Sequence, residues 1–477
     1  MTSAAPVEGR PDPAPQTAGA QGTPSSFLMS GWSRTIVESI AFRPARDDVD
    51  GADVPHDDLA ARQQLYVRGR YRRGTVFEAV ATVLVDYGWF HPEVSPTGAG
   101  SGRHEIDAEM REAFAGFSWP ALDVRVGLQR IAWGHADFFS PNDVASARDI
   151  RDPVLTEPEL RHRPTVAVRA HIPIGATVLQ LVYEPVFTPD RYDAYGRNWA
   201  IVQRGAPAGY RAVLETLTRA PGSSPTASGD LLLVDEGRPS GLSSGQGGLR
   251  LDWRLGRWDV THYYHVSHHG TPDFHVGSEV LAMLDDVDWS RTSADEARAA
   301  IAALTGAGAI GSRWPRRQHV GLDIGTVAGP LAIRLDAAYQ QPALFYDATL
   351  NGWRSPAAEA VAGIEYQTGD LGKTVLVETR FRRISREPPP GGLLFAERDS
   401  IETAILARWT WAEQVEIEAR GAAGRRPRTY LLRPQVAWKR GGFALRFGAV
   451  VLGGEPRSFG DWYRHNRSVY VMLRQAF

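Results

Sequence analysis

Leu331-Ala332-Ile333-Arg334-Leu335-Asp336-Ala337-Ala338-Tyr339 is the stretch on which the fold turns. One parity reads Leu, Ile, Leu, Ala, Tyr, and the other carries Arg334 and Asp336. Successive side chains of a strand point to opposite faces, so this segment has one apolar and one charged face. The same alternation recurs in 249–255, 375–382, 415–420 and 443–447. It belongs to the whole chain.

Segmenting on this pattern predicts about eighteen strands. They fall near 28–43, 62–73, 76–91, 109–118, 122–134, 164–173, 175–187, 245–256, 257–269, 317–327, 330–342, 357–368, 373–385, 398–411, 413–423, 429–439, 443–455 and 466–477. Soluble strands usually run to about five or six residues, whereas these suit a tilted bilayer crossing of roughly nine to eleven or more. The connections alternate as well. Arg72-Arg73-Gly74, Pro173-Ile174-Gly175, Leu255-Gly256-Arg257, Ala328-Gly329-Pro330, Gly369-Asp370-Leu371-Gly372 and Lys439-Arg440-Gly441-Gly442 read as tight turns. The stretches 135–163, 188–244 and 270–316 are long excursions where the other kind of connection is due. In the last, Ser293 and Glu296 are spaced as a helix-capping pair, predicting a short helix to Leu304.

A soluble sandwich alternates too, with its apolar parity on a core and its polar parity in bulk water. Here large residues fill one parity over long strands, and Arg and Glu stand near mid-strand on the other. A water-filled lumen and a lipid-facing exterior meet both demands without burying an unpaired ion. The expected fold is therefore all-β, a single closed antiparallel transmembrane β-barrel of about 18 strands (16 to 18 allowed), with short periplasmic turns and long extracellular loops. It spans 27–477 and follows a disordered Pro/Ala/Gly-rich leader, 1–26. An even strand count puts both chain ends on the short-turn side. Trp89, Phe90, Trp133, Trp253, Trp258, Trp409, Trp411 and Trp438 fall near strand ends, as an interfacial aromatic belt requires, although ordinary core packing also gathers aromatics.

Composition removes other classes. With no cysteine among 477 residues, disulfides, thiolate metal sites and cysteine nucleophiles are excluded. A formal charge of -2 argues against a nucleic-acid partner. The chain shows no GxxxxGK[ST], GxGxxG strand-to-helix turn or HExxH, so no cofactor is expected. No stretch is apolar enough for a transmembrane helix, and 1–26 lacks the basic and apolar regions of a signal peptide, which an exported chain would carry elsewhere.

The last strand places Val469, Val471, Leu473 and the terminal Phe477 on one parity, with Gln475 departing from it. It resembles the C-terminal signature of Gram-negative outer-membrane proteins. That implies outer-membrane lipid and lipopolysaccharide as surroundings, and the barrel-assembly machinery as a partner reading Phe477. Between Arg125 and Phe139 the run R-x-G-x-Q-x-x-x-W-G-x-x-D-x-F resembles a porin-like family of uncharacterised outer-membrane barrels and, more loosely, is similar to alginate-export channels. The resemblance implies a channel more than a cargo; oligomeric state stays open.

Barrels of about 16–18 strands leave an aqueous passage. Pore-lining residues are expected at Arg68, Arg70, Arg125, Arg169, Arg250, Asp252, Arg254, Arg334, Asp336, Glu378, Arg380, Arg382, Glu416, Glu418, Arg420, Arg433, Arg446 and Arg474. The Arg surplus leans toward anionic or hydroxyl-rich solutes diffusing passively. After Gly134 a loop bearing Asp137, Asp143, Arg148, Asp149 and Arg151 either folds inward as a constriction or stays solvated outside.

Three rivals compete with a channel. His265-Val266-Ser267 is similar to the His-x-Ser pair of lipid A deacylases, though those are small barrels and the triplet is common by chance. His262, His265, His268, His269 and His275 invite a metal: His262 and His265 face opposite sides of a strand and cannot chelate together, whereas His268, His269 and His275 lie where a loop begins and could, but polar residues at a barrel mouth are the simpler account, so neither metal nor enzyme is expected. A scaffold or adhesin whose loops bind a partner is the third, its 188–244 loop reading as mobile at Arg219–Ser224 and at 240–244.

Overall fold

Long alternating strands have one way to keep charge out of hydrocarbon and leave no unpaired edge, which is to close. The structure, a computed structural model, describes residues 25–40, 57–92, 103–203, 205–218, 238–288, 291–306, 309–368 and 372–477. Residues 1–24 of the leader, 41–43 of the first expected strand, the Arg219–Ser224 stretch and turn residues 369–371 lie outside the described residues, while Ser25 and Ser26, read with the leader, open the first strand.

The sheet begins with β1 (Ser25–Ile40), β2 (Asp57–Arg73), β3 (Phe77–Pro92), β4 (Arg103–Trp119) and β5 (Leu122–Gln129). It continues through β6 (Thr165–Ile174), β7 (Thr177–Glu184), β8 (Gln246–Leu255) and β9 (Trp258–His268). A separate hairpin, β10 (Asp273–Val276) and β11 (Ile310–Arg313), intervenes. Then follow β12 (Arg316–Ala328), β13 (Leu331–Tyr346), β14 (Gly352–Gln367), β15 (Lys373–Ile384) and β16 (Asp399–Trp411). Last come β17 (Val415–Arg425), β18 (Arg428–Arg440), β19 (Phe443–Gly454) and β20 (Ser468–Ala476). Apart from the hairpin these make one 18-stranded sheet, each strand antiparallel to the next, with β9 pairing β12 and β20 pairing β1. Every predicted strand overlaps a barrel strand.

The faces separate as the alternation demands. Along β13, Ile333, Leu335 and Tyr339 are exposed while Asp336 is buried; along β15, Val375, Val377 and Phe381 are exposed while Glu378 is buried. Trp253, Trp258, Trp409, Trp411 and Trp438 are exposed and all flank short turns, forming an outward belt at one rim. The terminal residue helps close the sheet: the Gly31 and Phe477 amides each donate to the other's carbonyl, at 2.9 and 3.0 Å.

Two expectations need correction. The strand read over 122–134 ends at Gln129, and Trp133 is no belt residue but is 2% exposed inside the barrel. The long-loop rim is also uneven, since only Arg426 and Pro427 join β17 to β18. The predicted helix is present as Ala294–Gly306: the Glu296 amide donates to Ser293 Oγ at 3.3 Å, and the Ser293 amide donates to Glu296 Oε2 at 2.9 Å. With helices Ala208–Thr218 and Ser278–Asp286 it builds an apolar core containing Trp199, Leu214, Leu284, Ile301 and Trp462. At the long-loop end these excursions form a folded cap.

Candidate functional site: a charged lumen crossed by a loop

A cavity of about 3310 Å³ occupies the barrel interior. Its lining runs from Arg72, Arg254 and Lys439 beside the short turns to Tyr210, Phe274 and Trp462 of the cap. Of the expected pore residues, Arg68, Arg70, Arg125, Arg169, Arg250, Asp252, Arg254, Arg334, Arg380, Arg382, Glu416, Glu418, Arg420, Arg433, Arg446 and Arg474 line it. Asp336 and Glu378 point inward but do not; at 1% and 0% exposure they are covered by the chain that follows β5.

That segment, 130–163, lies inside the barrel and touches the wall nearly all round. The amides of Asp137, Phe138 and Phe139 donate to the Glu378 carboxylate at 2.7, 2.8 and 3.2 Å. Those of His135 and Ala136 donate to Asp336 Oδ2 at 3.3 and 2.9 Å. Two wall carboxylates thus hold five consecutive backbone donors. Asp137 also pairs with Arg334, and the Arg380 guanidinium lies 4.7 Å from the Phe139 ring centre. Further along, Arg433 donates to the Val154 carbonyl at 2.6 Å, and Arg111 donates to the Leu160 carbonyl at 3.0 Å.

Four points of the family-like run, Gly127, Gln129, Trp133 and Gly134, have a local reason. Gly127 (φ 131) and Gly134 (φ 86) hold positive φ where a Cβ would strike the Ala113 carbonyl and the Ser140 hydroxyl. Gln129 donates to the Ala167 carbonyl at 2.9 Å, and the Trp133 indole donates to Gln180 Oε1 at 2.7 Å. These residues turn the chain from wall to lumen.

Asp137, Asp143 and Arg148 line the cavity, while Asp149 and Arg151 do not. Arg151 pairs with Asp149 at 2.7 Å and with Asp107 of β4 at 3.4 Å, fixing the loop to the wall. Burial pushes the Asp143 carboxyl up, yet Arg148 at 3.0 Å and the His162 ring at 2.6 Å outweigh it and hold it below the usual range. Glu157, Arg34 and Arg408 went unnoticed in the sequence, whereas Glu418, Arg420, Arg433, Arg446 and Arg474 were expected at the lumen. Glu157 sits among Arg34, Arg474 and Arg446 at 3.2, 3.4 and 3.6 Å. Glu418 is likewise shared by Arg420, Arg408 and Arg433 at 2.6, 2.7 and 3.9 Å. One wall therefore gathers six arginines around two carboxylates.

The rival sites are not assembled as their motifs suggested. Ser267 Oγ accepts from Arg317 Nε at 3.0 Å, and among the described residues both ring nitrogens of His265 lack hydrogen-bond partners, so serine and imidazole do not engage each other. His268 and His269 bond separately to the Trp314 and Pro342 carbonyls at 2.7 and 2.9 Å.

Comparison with known proteins places the chain in a family and bears on its fold. The chain belongs to the DUF1302 family. The family is described as a protein of unknown function, and its model matches residues 47–403, including the inward turn. No curated protein matches in sequence. Among solved structures, OccAB1 of Acinetobacter baumannii is similar at 10% identity and TM-score 0.50, covering 96% of this chain and 98% of that one. OccK5 (OpdH) of Pseudomonas aeruginosa aligns at 7% identity and TM-score 0.45, over 94% and 98%. OmpF of Salmonella typhi, in complex with daunomycin, aligns at 9% identity and TM-score 0.44, over 96% and 98%. At such identities the likeness concerns the fold, a porin-type barrel. The looser likeness to alginate-export channels is not shown by them.

Proposed function

We propose that this DUF1302 chain is a channel in the outer membrane of a Gram-negative bacterium, passing hydrophilic solutes by diffusion through its lumen. One observation carries the proposal: a cavity of about 3310 Å³ lined by charged side chains, inside a closed sheet whose exterior is apolar. Water fits that interior and hydrocarbon fits that exterior. The 130–163 segment is its constriction, since irregular backbone is tolerated at membrane depth where it lines water. The wall of six arginines around Glu157 and Glu418 supports a preference for anionic or hydroxyl-rich solutes. The cap supports a selective passage over a general one. Outer-membrane lipid and lipopolysaccharide would surround the apolar belt, and Phe477 would present β20 to the assembly machinery. No catalytic role is assigned.

Purified, refolded protein in planar bilayers tests the reading. Discrete current steps with a reversal potential favouring anions are expected; absence of any ion current would end the open-channel form.

A further inference from the structure

Asp323 of β12 and Asp336 of β13 face each other directly in register. Like charges placed opposite one another weaken a sheet, and buried charge calls for a partner. These two are 0% and 1% exposed, yet among the described residues the basic group at ion-pair distance is the His135 ring, Nδ1 lying 3.6 Å from Asp323 Oδ2. Asp323 accepts from the Asn142 side chain and, at 2.6 Å, from the Tyr263 hydroxyl. Asp336 Oδ2 takes the two loop amides, whereas Asp336 Oδ1 is buried with no hydrogen-bond donor among the described residues. One donor atom from each of His135, Asp323 and Asp336 lies within 4.8 Å of the others.

We propose that His135, Asp323 and Asp336 form a site for a single divalent transition-metal cation of the Zn²⁺ class. An imidazole nitrogen with two carboxylates suits such an ion better than Ca²⁺ or Mg²⁺, which take all-oxygen shells. A double positive charge offsets the opposed carboxylates and gives the orphaned Asp336 oxygen a partner. His135 lines the cavity, so the ion enters from the lumen. Because His135 belongs to the loop and both aspartates to the wall, bound metal fastens one to the other. The site is independent of what the channel passes.

Calorimetric titration of Zn²⁺ into the chelator-treated full-length protein in detergent tests this, with no current measurement needed. One saturable site per chain is expected, weakened about tenfold or more in His135→Ala and Asp336→Asn. Zinc should also raise the unfolding temperature of the unsubstituted protein and of neither variant. His135→Ala keeps its backbone amide on Asp336, so it decides the matter if Asp336→Asn misfolds. No saturable binding, as for a proton shared between the carboxylates, would overturn the site. Equal affinity in His135→Ala would do so as well, assigning the zinc to outward histidines such as His262.

Discussion

Glu378 anchors the inward loop through three amides, each charge-assisted bond contributing about 1.5–3 kcal/mol net of the water it replaces. Glu378→Ala should free the loop, giving larger and noisier unitary currents, while Glu378→Gln should lie between; unchanged recordings would contradict the anchoring. Glu157 adds a pH response. Burial raises its carboxyl, but Arg34, Arg474 and Arg446 outweigh burial and hold it below its ordinary 4.5. A depressed carboxyl stabilises the folded arrangement above its ordinary value and loses that contribution as pH falls through the lowered one. Loop release is therefore expected on acidification below about pH 4.5, seen as a conductance change that Glu157→Gln flattens. Parity alone put Arg334, Arg380 and Glu418 on the inner wall. That Asp323 opposes Asp336 was also within reach, because both lie the same distance from the hairpin turn at Gly329 and Pro330. Glu157 among three arginines was not, since β1, β19 and β20 meet only when the sheet closes. Trp133 misled because alternation runs on past Gln129 with no breaker before Gly134.

At the scale of elements, β1 and β20 seal the barrel where Gly31 meets the chain terminus. A side chain at Gly31 would run into the Tyr66 carbonyl and the Phe477 ring. Gly31→Val should cost on the order of 1–3 kcal/mol and weaken the seal, lowering the temperature at which the folded, fast-migrating band is lost in electrophoresis. The eighteen barrel strands were legible because each keeps one apolar parity against lipid. The cap was mostly not: its apolar residues come from separate excursions and pack by long-range contact, without a period. Only the helix opened by Ser293 and Glu296 announced itself, through a local capping pair. Between β17 and β18 two residues span the rim, and the excursion after β19 packs over it, its Gly460 amide donating to Thr429 Oγ1 at 2.9 Å.

For the whole molecule, the six-arginine wall predicts selectivity. Replacing Arg420 and Arg433 with Gln should move the reversal potential in a salt gradient toward zero, and a stronger anion preference would contradict that assignment. The chain has no cysteine, so single cysteines can be read against a silent background. The most direct measurement places them one at a time at Ala332, Ile333, Arg334 and Leu335 of β13 in liposome-embedded protein, then adds a hydrophilic, membrane-impermeant thiol reagent. Labelling at 332 and 334, with 333 and 335 protected by lipid, is expected. Labelling at 333 and 335 with 332 and 334 silent would mean that the sheet encloses a dry interior and that no aqueous path runs through it.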